Sequence, residues 1–128
     1  MSLALLDPET TVAALDWGRV AADLDAQGWA VLKGLVPADR CEALAGLYDG
    51  PEGFRSHLVM ARHGFGRGEY RYFAYPLPAP VQALRTELYR RLAPIANRWH
   101  AAMGMEARFP AEHAEFLARC HQAGQLRP

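Results

Sequence analysis

Residues 54–78 read FRSHLVMARHGFGRGEYRYFAYPLP, and the way this stretch divides decides what kind of fold the chain can build. From Ser56 to Ala61 the run His57, Leu58, Val59 and Met60 predicts a strand. From Glu69 to Tyr75 the aromatics Tyr70, Tyr72, Phe73 and Tyr75 predict a second. Between them His63-Gly64-Phe65-Gly66-Arg67-Gly68 supplies the turn chemistry, so the stretch reads as two strands around a glycine loop. Period-two alternation puts Tyr70 and Tyr72 on one side of the second strand, with Arg71, Phe73 and Tyr75 on the other.

Upstream, Asp16 can cap a helix in which Trp17, Val20, Ala21 and Leu24 share a face, and Gly28 supplies its stop. Trp29 to Leu35 reads as a short buried strand. Pro37 suits a first helical position, and Cys41, Leu44, Ala45 and Tyr48 continue an apolar stripe to the breakers Asp49, Gly50 and Pro51. Downstream, Pro76, Pro78 and Pro80 open a long helical pattern. Val81, Leu84, Leu88, Leu92, Ile95 and Trp99 share a face there, and Pro94 is expected to kink or split it. A last helix is expected from Pro110 to a C-cap at Gly124. About five helical pieces and three strands give an α+β chain with too few strands to close a barrel. With no internal repeat and no linker, residues 1–128 read as a single region.

The 128 residues, 51% apolar and 22% charged, exclude an unstructured polyelectrolyte. The 14 basic and 14 acidic side chains cancel, but unevenly. Residues 1–52 hold nine acids and three bases, a net of −6, and residues 53–128 hold eleven bases and five acids, a net of +6. No apolar run is long enough for a membrane span and no basic leader precedes Pro8, so a soluble, cytoplasmic protein without membrane contact is expected. Cys41 and Cys120 stand apart in helical patterns and are expected to be reduced and buried.

The glycines Gly64, Gly66 and Gly68 form GxGxG, which lacks the offset of a dinucleotide fingerprint, and no GK[ST] follows for a P-loop; a hairpin connection is expected. Around them Arg55, Arg62, Arg67 and Arg71, with His57 and His63, are opposed only by Glu69. Phe65, Tyr70, Tyr72, Phe73 and Tyr75 are interleaved with these cations. Cations follow phosphates and rings stack on bases, which is what single-stranded nucleic acid needs. The same composition also fits a half-buried amphipathic hairpin with solvated arginines. His113-Ala-Glu115 formally matches an HxE metal pair, but on a helix the two side chains diverge by about 200°. His100 falls near a helix end, where it suits the dipole or solvent better than a metal. No Asp follows Asp49, so HxD is absent. Ser2 and Ser56, the only serines, lie outside any nucleophile motif, and the residues alone reveal no complete active site.

Four stretches together carry a family resemblance: Leu24 to Tyr48 (LDAQGWAVLKGLVPADRCEALAGLY), Phe54 to Pro78, Leu84 to Trp99 (LRTELYRRLAPIANRW), and Phe109 to Pro128. The first resembles the opening of iron(II)/2-oxoglutarate-dependent oxygenases. The whole resembles the amino-terminal half of a bacterial branch labelled prolyl-hydroxylase-like or grouped with oxygenases of damaged DNA. The resemblance implies a helix-rich portion of a double-stranded β-helix (jelly-roll) enzyme, with a few strands and no complete barrel. It also implies that the HxD pair, the distal His that completes the Fe(II) site, and the Arg for 2-oxoglutarate lie beyond Pro128. The complete enzyme would use Fe(II) and 2-oxoglutarate, and none is expected in this chain, which would be inactive alone. By analogy with the lid of AlkB-type demethylases, Arg62, Arg67, Tyr70 and Tyr72 are expected to contact substrate: guanidiniums on phosphate, tyrosines shaping the pocket. Substrates left open are damaged or single-stranded DNA and an extended peptide. A stand-alone module binding nucleic acid or an acidic partner, and a structural interaction domain, are the other readings. An apolar face along Val81 to Trp99 is expected to favour self-association.

Overall fold

The structure, a computed structural model, describes residues 7–128. Its elements are α1 (Pro8–Ala13), α2 (Trp17–Gln27), α3 (Ala38–Gly46), β1 (Phe54–Val59), β2 (Glu69–Phe73), α4 (Ala79–Ala102) and α5 (His113–Gln122), with a 3-10 turn at Met60–His63 between the strands. The described residues form a mixed helix and sheet structure, in which a single two-stranded antiparallel sheet closes no barrel. They divide into two compact units, one of residues 36–82 and one of residues 7–35 with 83–128. No described helix is long and apolar enough to cross a membrane.

In the helical unit, Asp16 caps α2 as its sequence position predicts, its carboxylate accepting from the Arg19 amide at 3.1 Å. Such a cap contributes about 1 kcal/mol. Gly28 ends the helix with φ 80°, a left-handed conformation that only glycine adopts freely. The six-residue α1 was not signalled by the sequence, because Thr10, Thr11 and Val12 are mediocre helix formers in so short a run. It is held from outside: Trp17 donates its indole N–H to the Val12 carbonyl at 2.8 Å, and Val12 and Val20 are buried.

The segment Trp29–Leu35 is not a strand. Its backbone acquires no ladder partner among the described residues. Side chains occupy its carbonyls instead, Gln27 on that of Trp29 at 3.1 Å and Arg19 on that of Val31 at 3.0 Å. Leu35 then turns back onto the Leu32 carbonyl, and Trp29 and Val31 remain exposed rather than buried.

Helix α4 runs unbroken for 24 residues with Pro94 inside it, so the proline does not split it. Proline removes one N–H from the ladder, but the segment on each side is fastened. Tyr89 Oη donates to the Pro110 carbonyl at 2.8 Å, and Arg90 Nε reaches both carboxylate oxygens of Glu112 at 3.1 Å. Asn97 makes a paired link to Phe109, giving its amide N–H to the carbonyl at 2.9 Å and accepting from the backbone N–H at 2.6 Å. These bonds also explain why α5 begins at His113 instead of Pro110: the backbone of 109–112 is occupied in lacing to α4. Around that lacing Tyr89 stacks on Phe116 at 5.8 Å and Phe109 meets Phe116 edge-on at 5.7 Å. The α4 stripe of Leu84, Leu88, Ile95 and Trp99 is accordingly half-buried, with Ala93 buried and Leu92 40% exposed.

Both later helices end in the same way. At α4, Gly104 (φ 73°) bonds back to the Ala101 carbonyl and Met105 to that of His100. At α5, Gly124 bonds to His121 and Gln125 to Cys120, so Gly124 lies one residue beyond the cap, which is Ala123. A Cβ at Gly104 would meet nothing within 4 Å, so only its backbone conformation resists substitution. Gly104→Ala is expected to lower the unfolding free energy by about 1–2 kcal/mol, read from the urea midpoint.

Helices α2 and α4 are tied by one carboxylate: Asp25 Oδ1 accepts from Trp99 Nε1 at 2.6 Å and from Arg98 at 3.1 Å. The Arg98 bond, and next the Trp99 bond, hold the Asp25 carboxyl below the ordinary aspartate value of 3.8. A carboxyl depressed in the folded state stabilises it above the unfolded pKa and loses that contribution as pH falls through the lower native value. Asp25→Asn is therefore expected to flatten the acid limb of the stability profile below about pH 4, measured by thermal melts across pH.

Candidate nucleic-acid interface

Pairing in the hairpin is Phe54 with Phe73, Ser56 with Tyr72, His57 with Arg71, Leu58 with Tyr70 and Val59 with Glu69, with a bulge between Phe54 and Ser56. The glycine loop closes it: Gly64, Gly66 and Gly68 all have positive φ, and Met60 donates to the Gly68 carbonyl at 3.0 Å. Those conformations favour glycine, so the trio serves the turn, as its spacing predicts.

Residues paired across the ladder share a face, and the two faces differ in chemistry. On the inner one, Phe54 and Phe73 stack at 5.2 Å, and the Arg71 guanidinium lies 5.4 Å from the Phe54 ring and 5.2 Å from that of Tyr48. Arg71 also donates to the carbonyls of Tyr48 (2.7 Å) and Gly50 (2.9 Å), which binds the loop after α3 to the sheet. His57 and Glu69 pair at 2.7 Å, and Tyr48 Oη donates to the Glu69 carbonyl at 3.2 Å.

The outer face carries Ser56, Leu58, Tyr70 and Tyr72, with Tyr70 56% and Tyr72 45% exposed. The bulge adds Arg55, whose guanidinium carbon sits 5.9 Å from the centroids of both Tyr72 and Tyr75. Here the expected alternation fails at its end. Strand β2 stops at Phe73, so Tyr75 no longer obeys the period of two and joins Tyr72 instead of Arg71. The structure thus brings Tyr70 and Tyr72 together and adds Arg55 and Tyr75, which the sequence reading named in the basic-aromatic cluster without selecting. The bulge hid Arg55, since no sequence signal marks an extra residue in a strand. Arg62 lies in the 3-10 turn and Arg67 in the glycine loop, both exposed at the hairpin tip, beside Phe65 at 74% exposure.

Arg62, Arg67, Arg55 and the tyrosines make a surface of rings and cations suited to stacked bases and phosphates. The described residues do not fit an iron site. No group of three His, Cys, Asp or Glu among them could hold a metal ion. His113 and Glu115 both lie on α5, and the His113 ring packs edge-on to Tyr89 at 5.4 Å. Burial, and next the Arg85 cation, push its pKa below the ordinary histidine value. His100 is bonded to the Ala107 carbonyl at 2.8 Å. Cys120 is buried as expected, whereas Cys41 is exposed, because the half-buried stripe of the short α3 passes through Ala43, Leu44 and Leu47.

Arg71→Ala removes two charge-assisted bonds to carbonyls and a guanidinium that lies against two rings. A loss of about 2–4 kcal/mol is expected, with Arg71→Lys recovering little of it because a compact ammonium cannot keep both ring contacts and both carbonyl bonds; chemical denaturation measures both.

Residues 68–128 match the Oxygenase-NA family, described as an oxygenase catalysing oxidative methylation of damaged DNA. Two curated relatives from Mycobacterium tuberculosis, Uncharacterized protein MT2286 (strain CDC 1551 / Oshkosh) and Uncharacterized protein Rv2227 (strain ATCC 25618 / H37Rv), are each 44% identical over 55 residues. The similarity covers 43% of this chain and 24% of each relative, so it spans about a quarter of their length. No solved structure matches. From Gly68 onward, through Tyr70, Tyr72 and Tyr75, the chain is similar to an oxygenase family.

Proposed function

We propose that this chain is the substrate-facing part of a 2-oxoglutarate- and Fe(II)-dependent jelly-roll oxygenase acting on damaged nucleic acid, with the outer face of the β1–β2 hairpin as its contact surface. The observation that carries the reading is the cluster of exposed Tyr70, Tyr72 and Tyr75 with half-buried Arg55 on one side of the sheet, three of whose members fall in the segment similar to damaged-DNA oxygenases. Exposed rings on a sheet face accept bases of any sequence, and guanidiniums at the tip and the bulge meet phosphates. Oxidation of a base requires that it leave the stack, and an exposed aromatic face offers the unstacked neighbours new partners. Iron and 2-oxoglutarate belong to this reading through the family resemblance, and the described residues offer no metal-ligand set.

Titration of the 128-residue protein with single-stranded oligonucleotide at two salt concentrations tests the reading. Binding that weakens with salt is expected, with Tyr70→Ala and Tyr72→Ala each costing about 1–3 kcal/mol. Arg62→Gln and Arg67→Gln are each expected to reduce the salt slope by about 0.7. Absence of salt-dependent binding, or indifference to both tyrosine variants, overturns it.

A further inference from the structure

The bulge that turns Arg55 toward the tyrosines also borders a cleft of about 240 Å³, lined by Pro51, Phe54, Arg55, Ser56, His57 and Arg71. Two arginines, a histidine and a serine line it, Arg55 and Ser56 from the outer side of β1 and His57 and Arg71 from the inner, and no carboxylate belongs to its lining. Glu69, the acid beside it, already engages His57 through Nε2 at 2.7 Å.

Arg71 adds an independent observation. One of its terminal nitrogens serves Tyr48 and Gly50, while its Nε is buried and has no hydrogen-bond partner. A buried donor left unsatisfied costs free energy that an acceptor oxygen would return. Bidentate, tetrahedrally arranged acceptors suit paired guanidiniums and a hydroxyl, and phosphate provides them.

We propose that this cleft is a phosphate site, and that it holds the backbone phosphate of the nucleotide whose base stacks on Tyr72. The nucleotide form of the proposal rests on the function proposed above; the phosphate form does not. Arg55 joins the two parts. Its guanidinium stands over the rings of Tyr72 and Tyr75 and the residue also lines the cleft, so base platform and phosphate site share it. The hairpin tip, where Arg62 and Arg67 extend, then serves the neighbouring phosphates of the strand.

The test is an amide and guanidinium NMR titration of the 128-residue protein with inorganic phosphate, then with thymidine 5′-monophosphate against thymidine. Saturable shifts at Ser56, His57 and the Nε signals of Arg55 and Arg71 are expected with both phosphates and not with thymidine. Ser56→Asp, which places a carboxylate in the cleft, is expected to weaken phosphate at least tenfold, whereas Arg91→Gln, removing a charge from the other unit, leaves it unchanged. Arg55→Gln provides the same weakening should Ser56→Asp fail to fold. Shifts that are absent, or that spread over every arginine alike, overturn the phosphate site. If oligonucleotide binds and Ser56→Asp changes neither its affinity nor the phosphate shifts, the cleft is wrong and the hairpin function stands. If phosphate saturates the cleft while oligonucleotide does not bind, the function is wrong and the site stands.

Discussion

A two-stranded ribbon in water is marginal by itself, and Arg71 is what gives this one a back. The guanidinium lies against the edge-to-face pair of Tyr48 and Phe54 and reaches two carbonyls of the loop after α3, so one face of the sheet is committed to the protein. Once that side is fixed, the pleat dictates the other: Ser56, Leu58, Tyr70 and Tyr72 must point away. The exposure of these large side chains therefore follows from the anchoring of their neighbours.

The helical unit relies on a related device. Among the described residues few side chains are fully buried, Val12, Val20, Ala93 and Cys120 in this unit, and none of the buried ones is charged. Side chains that bond to backbone supplement so small a core. Asn97 imitates a peptide group against Phe109, Tyr89 holds Pro110, and Trp17 holds Val12. Each satisfies a carbonyl or N–H from the side, Trp17 steadying the short α1 and Asn97 and Tyr89 fixing residues 109–110, which form no element of their own.

What the sequence made legible was local chemistry. Asp16 as a cap, Gly28 as a stop, the glycine loop and the opposition of Tyr70 and Tyr72 to Arg71 depend on neighbours within a few residues, and all appear in the structure. The failures depend on distant partners. Trp29–Leu35 has the composition of a strand, but a strand exists only when another pairs with it, and Arg19 and Gln27 take its carbonyls. Pro94 ought to break a helix, and α4 survives because residues 109–112 brace it. In the candidate site, the tyrosines were legible through alternation, while Arg55 and Tyr75 were obscured where alternation stops, at a bulge and past a strand end.

The bulge also bears on how the hairpin tolerates change in length. One residue is surplus between Phe54 and Ser56, so the ladder on either side already satisfies its pairing without it. Loss of Arg55 would regularise the strand and leave every other pair in place, whereas a one-residue deletion elsewhere in β1 would send each tyrosine's partner to the opposite face. The cation beside the rings thus occupies the one position in the strand where an insertion or deletion leaves the parity of the sheet intact, and such a charge can be gained or lost in a single step without refolding what surrounds it.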